Sequence, residues 1–250
     1  MIIMRELTRA IQVAACAGLL FTPIMAAAQD TPADPTDMWD IARGGQLYDN
    51  WMSVLEQEAP EGNHPLYPAE AAQSGGSTWR CKECHGWDYE GKDGAYGGGS
   101  HFTGIIGLTE ASGKTEEETA ALIMRPEHGY TADMIPPAAL QKLAKFVKSG
   151  LIDTDPYINR ADKTVSGDPA NGARMYQTIC AVCHGFDGTD YNFGSAEEPE
   201  YVGTIGVDNP WEGLHKIRFG QPGVPMIAMT ALETQQIVDI LAYIQTLPTK

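Results

Sequence analysis

The sequence predicts a mainly α-helical protein built as two tandem units, and three observations predict it. The pentapeptide Cys81-Lys82-Glu83-Cys84-His85 recurs as Cys180-Ala181-Val182-Cys183-His184. The residues around each copy match at corresponding offsets. Each unit ends in apolar residues at helical spacing.

The repeated motif comes first because it carries the chemistry. Cysteines at its first and fourth positions stand about one helical turn apart, so both reach one planar macrocycle while the adjacent histidine meets a metal at its centre. In an exported chain that pattern is a covalent haem attachment site. Zinc binding and a redox dithiol compete with this reading. Paired zinc knuckles, however, stand about 15 to 20 residues apart, and a dithiol leaves both histidines without a role. Two copies imply two covalently attached haem c groups, held by Cys81, Cys84, Cys180 and Cys183, with His85 and His184 as proximal iron ligands.

The chain begins with Arg5 and Arg9 and an apolar run ending in Met25-Ala26-Ala27-Ala28. A secretory signal peptide over 1–28, cleaved after Ala28, is expected. Gln12 and Pro23 interrupt the run and argue against an uncleaved anchor. The run also continues past Cys16, which argues against lipidation there. Removing the leader leaves four cysteines, all used by the two motifs. Haem c attachment in an exported chain puts the expected location in the periplasm.

Residues 29–37, with Thr31, Pro32, Pro35 and Thr36, read as a flexible tether. The first unit is expected over 38–149, a linker over 150–167 and the second unit over 168–250. A helix is expected from Trp39 to Leu55, with Ile41, Gly44, Leu47, Tyr48 and Trp51 near one face. Its counterpart spans Asp168 to Ile179, where Asp168 caps and Pro169 takes the first helical position. Arg43-Gly44-Gly45-Gln46-Leu47-Tyr48 parallels Asn171-Gly172-Ala173-Arg174-Met175-Tyr176.

After the motifs, His85-Gly86-Trp87-Asp88 matches His184-Gly185-Phe186-Asp187, and Gly104 and Gly203 stand at the same offset from the two histidines. Farther on, Met134-Ile135 through Ala139-Leu140 parallels Met226-Ile227 through Ala231-Leu232. Leu140, Leu143, Phe146 and Val147 give the first unit's closing helix, ending near Ser149-Gly150. In the second unit, Thr230-Ala231-Leu232-Glu233 reads as a capping box ahead of Ile237, Ile240, Leu241 and Ile244, with Pro248 as the stop. Gly97-Gly98-Gly99 reads as a turn, since no strand-then-helix context makes it a phosphate cradle.

The net charge is −16, and losing Arg5, Glu6 and Arg9 with the leader makes it one unit more negative. That makes nucleic acid and anionic membrane surfaces poor partners, and no nucleic-acid partner is expected. It suits docking onto a basic patch of a redox protein, with Glu116-Glu117-Glu118 and Glu197-Glu198 as candidate sources of the field or as plain solvated faces.

Taken together, these segments resemble the class I cytochrome c family, present in tandem over nearly the whole mature chain. The resemblance implies two domains, each wrapped around one haem. In each, an N-terminal helix bearing a small residue crosses a C-terminal helix bearing an aromatic one: Gly44 and Tyr48 against Phe146, and Gly172 and Tyr176 against Tyr243. It also implies a methionine opposite each histidine. Gly220-Gln221-Pro222-Gly223-Val224-Pro225-Met226 looks like the family's ligand loop, with Met229 as the alternative to Met226. In the first unit Met134 aligns, with His128 and Met124 also within reach. His64, His101 and His215 have no ligand context and read as surface or pocket residues.

One departure from the family is the stretch 52–78 between the first helix and Cys81, which reads as a cover for the first haem, a partner surface or a mere long excursion. The function implied is a dihaem electron carrier, not an enzyme, passing single electrons between periplasmic redox proteins. The alternative is the electron-accepting subunit of a periplasmic dehydrogenase, for instance one that oxidises sulfur compounds; a membrane-bound oxidase is a further candidate partner. A dihaem enzyme or a ligand sensor would need an open iron position.

Overall fold

The computed structural model describes residues 34–250. The expected leader over 1–28, its cleavage after Ala28, Cys16, and the tether as far as residue 33 lie outside the described residues. Ala33–Lys250 form one compact unit. Its helices are α1 (Pro35–Leu55), α2 (Cys81–His85), α3 (Thr109–Ser112), α4 (Glu116–Ile123), α5 (Pro137–Ser149), α6 (Pro169–Met175), α7 (Ala181–His184), α8 (Val202–Asp208), α9 (Pro210–Phe219) and α10 (Thr234–Ile244). Among the described residues, β pairing is confined to the isolated bridges Gly91–Ile106 and Ile158–Val165.

Helix α1 starts ahead of the expected Trp39. The Asp34 carboxylate accepts from the Thr36 amide at 2.8 Å, and Pro35 fills the first helical position, where no amide hydrogen is needed. The helix bends at Asn50, whose backbone leaves the helical region and whose side chain accepts from Ser53 N at 3.2 Å. Helix α10 starts later than the expected capping box. The Thr230 hydroxyl donates to the Arg218 carbonyl at 3.0 Å, and Glu233 with Gln236 forms the cap instead.

Two helix crossings organise the fold, and both depend on a glycine. Where α1 meets α5, a β-carbon on Gly44 would lie 2.2 Å from the Lys142 carbonyl oxygen. Where α6 meets α10, one on Gly172 would lie 1.8 Å from the Asp239 carbonyl oxygen. Only a hydrogen side chain permits backbones this close. Beside each glycine the aromatic pair expected from the sequence is in place: Tyr48 and Phe146 have ring centres 5.3 Å apart, as do Tyr176 and Tyr243. Asp239 fixes the second crossing further, accepting from Asp168 N at 2.8 Å and from the Asn171 amide at 2.7 Å.

The two crossings anchor two hydrophobic clusters, one around Trp51, Leu143 and Phe146 and the other around Tyr176, Ile240 and Leu241; Ile152 packs against both. Helix α9 joins the halves. Gly45 on α1 lies against the Phe219 ring, and the Gln46 amide donates to the Phe219 carbonyl at 3.0 Å. Asp49, fully buried, pairs with Arg80 and with Lys216 at 2.5 Å. His215, expected at the surface or in a pocket, is instead buried at this junction. It donates from Nε2 to the Gly45 carbonyl at 3.0 Å and accepts at Nδ1 from the Tyr89 hydroxyl at 2.8 Å. The stretch 150–167 also packs inward: Ile158 is buried, and Arg160 bridges Asp88, Glu90 and Asp155.

Candidate functional site

The two Cys-x-x-Cys-His motifs fold as short helices, as their spacing predicts, but they are reached differently. Helix α6 continues through a π-helical turn at Tyr176–Cys180 straight into α7, so one run of helix presents Cys180, Cys183 and His184. Such turns widen a helix by one residue per turn and are frequent at functional positions. In the first half, the stretch after α1 makes a long excursion before α2. Trp79 closes it: its carbonyl accepts from Trp51 Nε1 at 2.9 Å and from the Tyr130 hydroxyl at 2.9 Å, and its own ring N–H donates to the Gly62 carbonyl at 3.2 Å.

Despite that difference, the crossing helices grip both motifs in the same way. The Tyr48 hydroxyl donates to the Gly86 carbonyl at 2.5 Å, and the Tyr176 hydroxyl donates to the Gly185 carbonyl at 3.2 Å. Each glycine directly follows a motif histidine. Besides packing at the crossings, the tyrosines therefore fix where the motif ends.

All four cysteines among the described residues are free. Burial pushes the Cys81 and Cys180 thiols up to about 11 and Cys84 to about 12, so they stay neutral. Among the described residues, no group of three or more His, Cys, Asp or Glu is arranged to hold a metal ion by itself.

The histidines suit a metal ligand. Burial pushes His85 down to about 4, keeping the imidazole in the neutral form that ligates. Its Nδ1 donates to the Ile106 carbonyl at 2.8 Å, which fixes the tautomer and leaves Nε2 for a metal. Burial lowers His184 as well. Its Nδ1 is buried without a hydrogen-bond partner, so the second motif lacks the brace that Ile106 gives the first. The matching offsets of Gly104 and Gly203 do not carry over here: Gly203 lies inside α8, whereas Gly104 lies in the loop that delivers Ile106.

Apolar surface accompanies both motifs. Ile106 beside His85 is exposed, as are Phe193, whose ring centre is 6.0 Å from that of His184, and Tyr191, which packs on Phe193. A flat, largely apolar macrocycle attached at the cysteines fits these residues, and its iron fits the neutral imidazoles.

The distal candidates are placed as follows. Met226 is half-buried on the loop after α9, and its carbonyl lies close to Gly220. Met229 packs against the cluster that includes Tyr176, as Cys180 does. In the first half, Met134 stands immediately ahead of α5 and packs against the Trp51 and Leu143 cluster; Met124 caps α4. His128 stands near His85, with ring centres 6.4 Å apart. His64 is buried and bonded to the His128 carbonyl, and His101 bonds to buried Glu83 at 2.7 Å.

Residues 169–248 match the cytochrome c family. No curated protein and no solved structure matches the chain. The match covers the second motif, α6 through α10 and the Met226 loop. A cytochrome c domain implies covalently bound haem c and haem-based electron transfer, and the mainly helical architecture agrees with it.

Proposed function

We propose that the chain is a dihaem c-type cytochrome that carries single electrons between periplasmic redox partners. The observation that carries this reading is that the features of the matched cytochrome c domain recur around the first motif. There too a Cys-x-x-Cys-His helix is gripped by a tyrosine from a helix crossing on glycine. Cys81 with Cys84, and Cys180 with Cys183, would hold haem c, and the bound group would supply one-electron Fe(III)/Fe(II) chemistry. The protein's part is to keep His85 and His184 neutral, so that they would ligate the iron, with Met226 on the loop after α9 as the residue that would serve as the second ligand at the second motif. It also shields the sites and offers a docking surface. The negative charge of the chain favours partners with basic patches.

A second reading, the electron-accepting subunit of a periplasmic dehydrogenase, is favoured by the large exposed side chains next to the second motif. Val182 is 82 % exposed and Phe186 is 75 % exposed, and side chains of this kind suit a lasting apolar interface.

The test is covalent haem content by intact mass and haemochrome absorbance, with carbon monoxide added to the reduced protein. Two haems per chain and no carbon monoxide binding are expected. One haem refutes the dihaem reading, and rapid carbon monoxide binding favours an enzyme or sensor. Recovery of the protein from its native source as a stable complex, rather than alone, would favour the subunit reading over the free carrier.

A further inference from the structure

We propose that His128, and not Met134, is the second axial ligand at the first motif, so that one iron is held between two imidazoles and the other between His184 and Met226. The inference rests on the reading that both motifs carry haem. His85 and His128 present their rings 6.4 Å apart, centre to centre. With metal–imidazole bonds of about 2 Å and ring centres about 1 Å behind the ligating nitrogens, two imidazoles trans across one metal stand about 6 Å apart.

The two histidines are prepared alike. His85 Nδ1 donates to the Ile106 carbonyl at 2.8 Å, and His128 Nδ1 donates to the Leu122 carbonyl at 2.9 Å. Each bond fixes a tautomer that leaves Nε2 unprotonated and available, as in other metal-ligating histidines.

The excursion after α1 supplies the support for His128. His64 accepts at Nδ1 from Leu66 N at 3.2 Å, so its Nε2 carries the proton and donates to the His128 carbonyl at 2.5 Å. On the other side, the Tyr130 ring lies nearly parallel to that of His128, 11° apart, and its hydroxyl bonds back to the Trp79 carbonyl two residues before Cys81. The stretch 52–78, which a minimal carrier does not need, thereby holds the segment carrying His128 next to the first motif. Met134 has no comparable brace, and its side chain packs against the apolar cluster beneath α5.

A thioether opposite histidine raises the potential of a haem iron relative to a second imidazole. The first iron would therefore have the lower potential and the second the higher.

The test begins with haem content in the full-length protein and in Cys81→Ala/Cys84→Ala. One haem per chain, unchanged in that variant, overturns the two-haem reading and this inference with it. With two haems established, near-infrared magnetic circular dichroism of the ferric protein is expected to show one bis-imidazole and one imidazole–thioether iron. Met134→Leu should leave both signatures and both potentials unchanged. His128→Met should replace the bis-imidazole signature and raise the lower potential. Two thioether signatures in the wild type, or loss of one in Met134→Leu, would overturn the assignment of His128 while leaving the two-haem reading intact.

Discussion

Acidification should weaken the junction between the halves through His215 before it touches any carboxylate there. This imidazole is 1 % exposed and uses both nitrogens, donating to the Gly45 carbonyl and accepting from Tyr89, which requires the neutral ring. Burial pushes its pKa down to about 4, with Lys216 and Arg80 opposing its protonation and Asp49 favouring it. In the unfolded chain it titrates near 6.5. Because the folded value is depressed, the unfolded state binds the proton first. The contribution is whole above about pH 6.5 and is lost as the pH falls toward 4. Linkage puts the loss at about 2 kcal/mol by pH 5 and about 3 kcal/mol by pH 4. Asp49, lowered by Lys216 and Arg80 against its burial, loses its own contribution only below the usual carboxylate range. Guanidinium unfolding followed by far-ultraviolet circular dichroism between pH 7 and 4 should therefore give a steeper decline for wild type than for His215→Gln. Glutamine keeps a donor and an acceptor but does not titrate. Parallel pH profiles for the two proteins would refute the reasoning.

Gly172→Ala forces a methyl group against the Asp239 carbonyl and should cost about 1–3 kcal/mol or more in denaturant unfolding; Gly98→Ala, with open space around it, should stay within about 0.5 kcal/mol. Tyr176→Phe, which strands the Gly185 carbonyl, should cost about 1 kcal/mol by the same assay. Lys216→Met leaves Asp49 with Arg80 alone, so the folded carboxyl pKa rises and acid unfolding should begin at a higher pH than in wild type. Cys180→Ala/Cys183→Ala should remove the mass of one haem and leave the other attached.

The features legible in the sequence were those with local causes. Helical periodicity and the motif spacing placed the helices, and the family resemblance, read onto the parallel glycines at 44 and 172, implied both crossings that the structure shows. Asp168-Pro169 announced the start of α6; Asp34-Pro35 carries the same signal for α1, and taking its prolines as a tether obscured it. Thr230 had the composition of a cap, but its hydroxyl is taken by Arg218, a partner that local pattern does not reveal. The histidines are the clearest failure. His215 finds its partners 126 and 170 residues away and His64 finds its partner 64 residues away, so nothing in their neighbourhood distinguishes them from surface histidines. The length of the 52–78 stretch was the available hint that the first half needed something the second did not.

The contacts of α9 also bear on how the protein can be made. Gly45, Gln46 and Asp49 lie near the start of the described residues, yet their partners His215, Phe219 and Lys216 follow some 170 residues later. Until those arrive, one face of α1 stays bare and the Asp49 carboxylate, destined for burial, has Arg80 but lacks its second counter-charge, Lys216. A ribosome-bound or truncated N-terminal half is thus an incomplete object however well its own crossing forms, and it carries an adhesive surface that folding factors must shield. Such non-local closure slows folding and joins the fates of the two halves, so a lesion late in the chain is felt at its beginning.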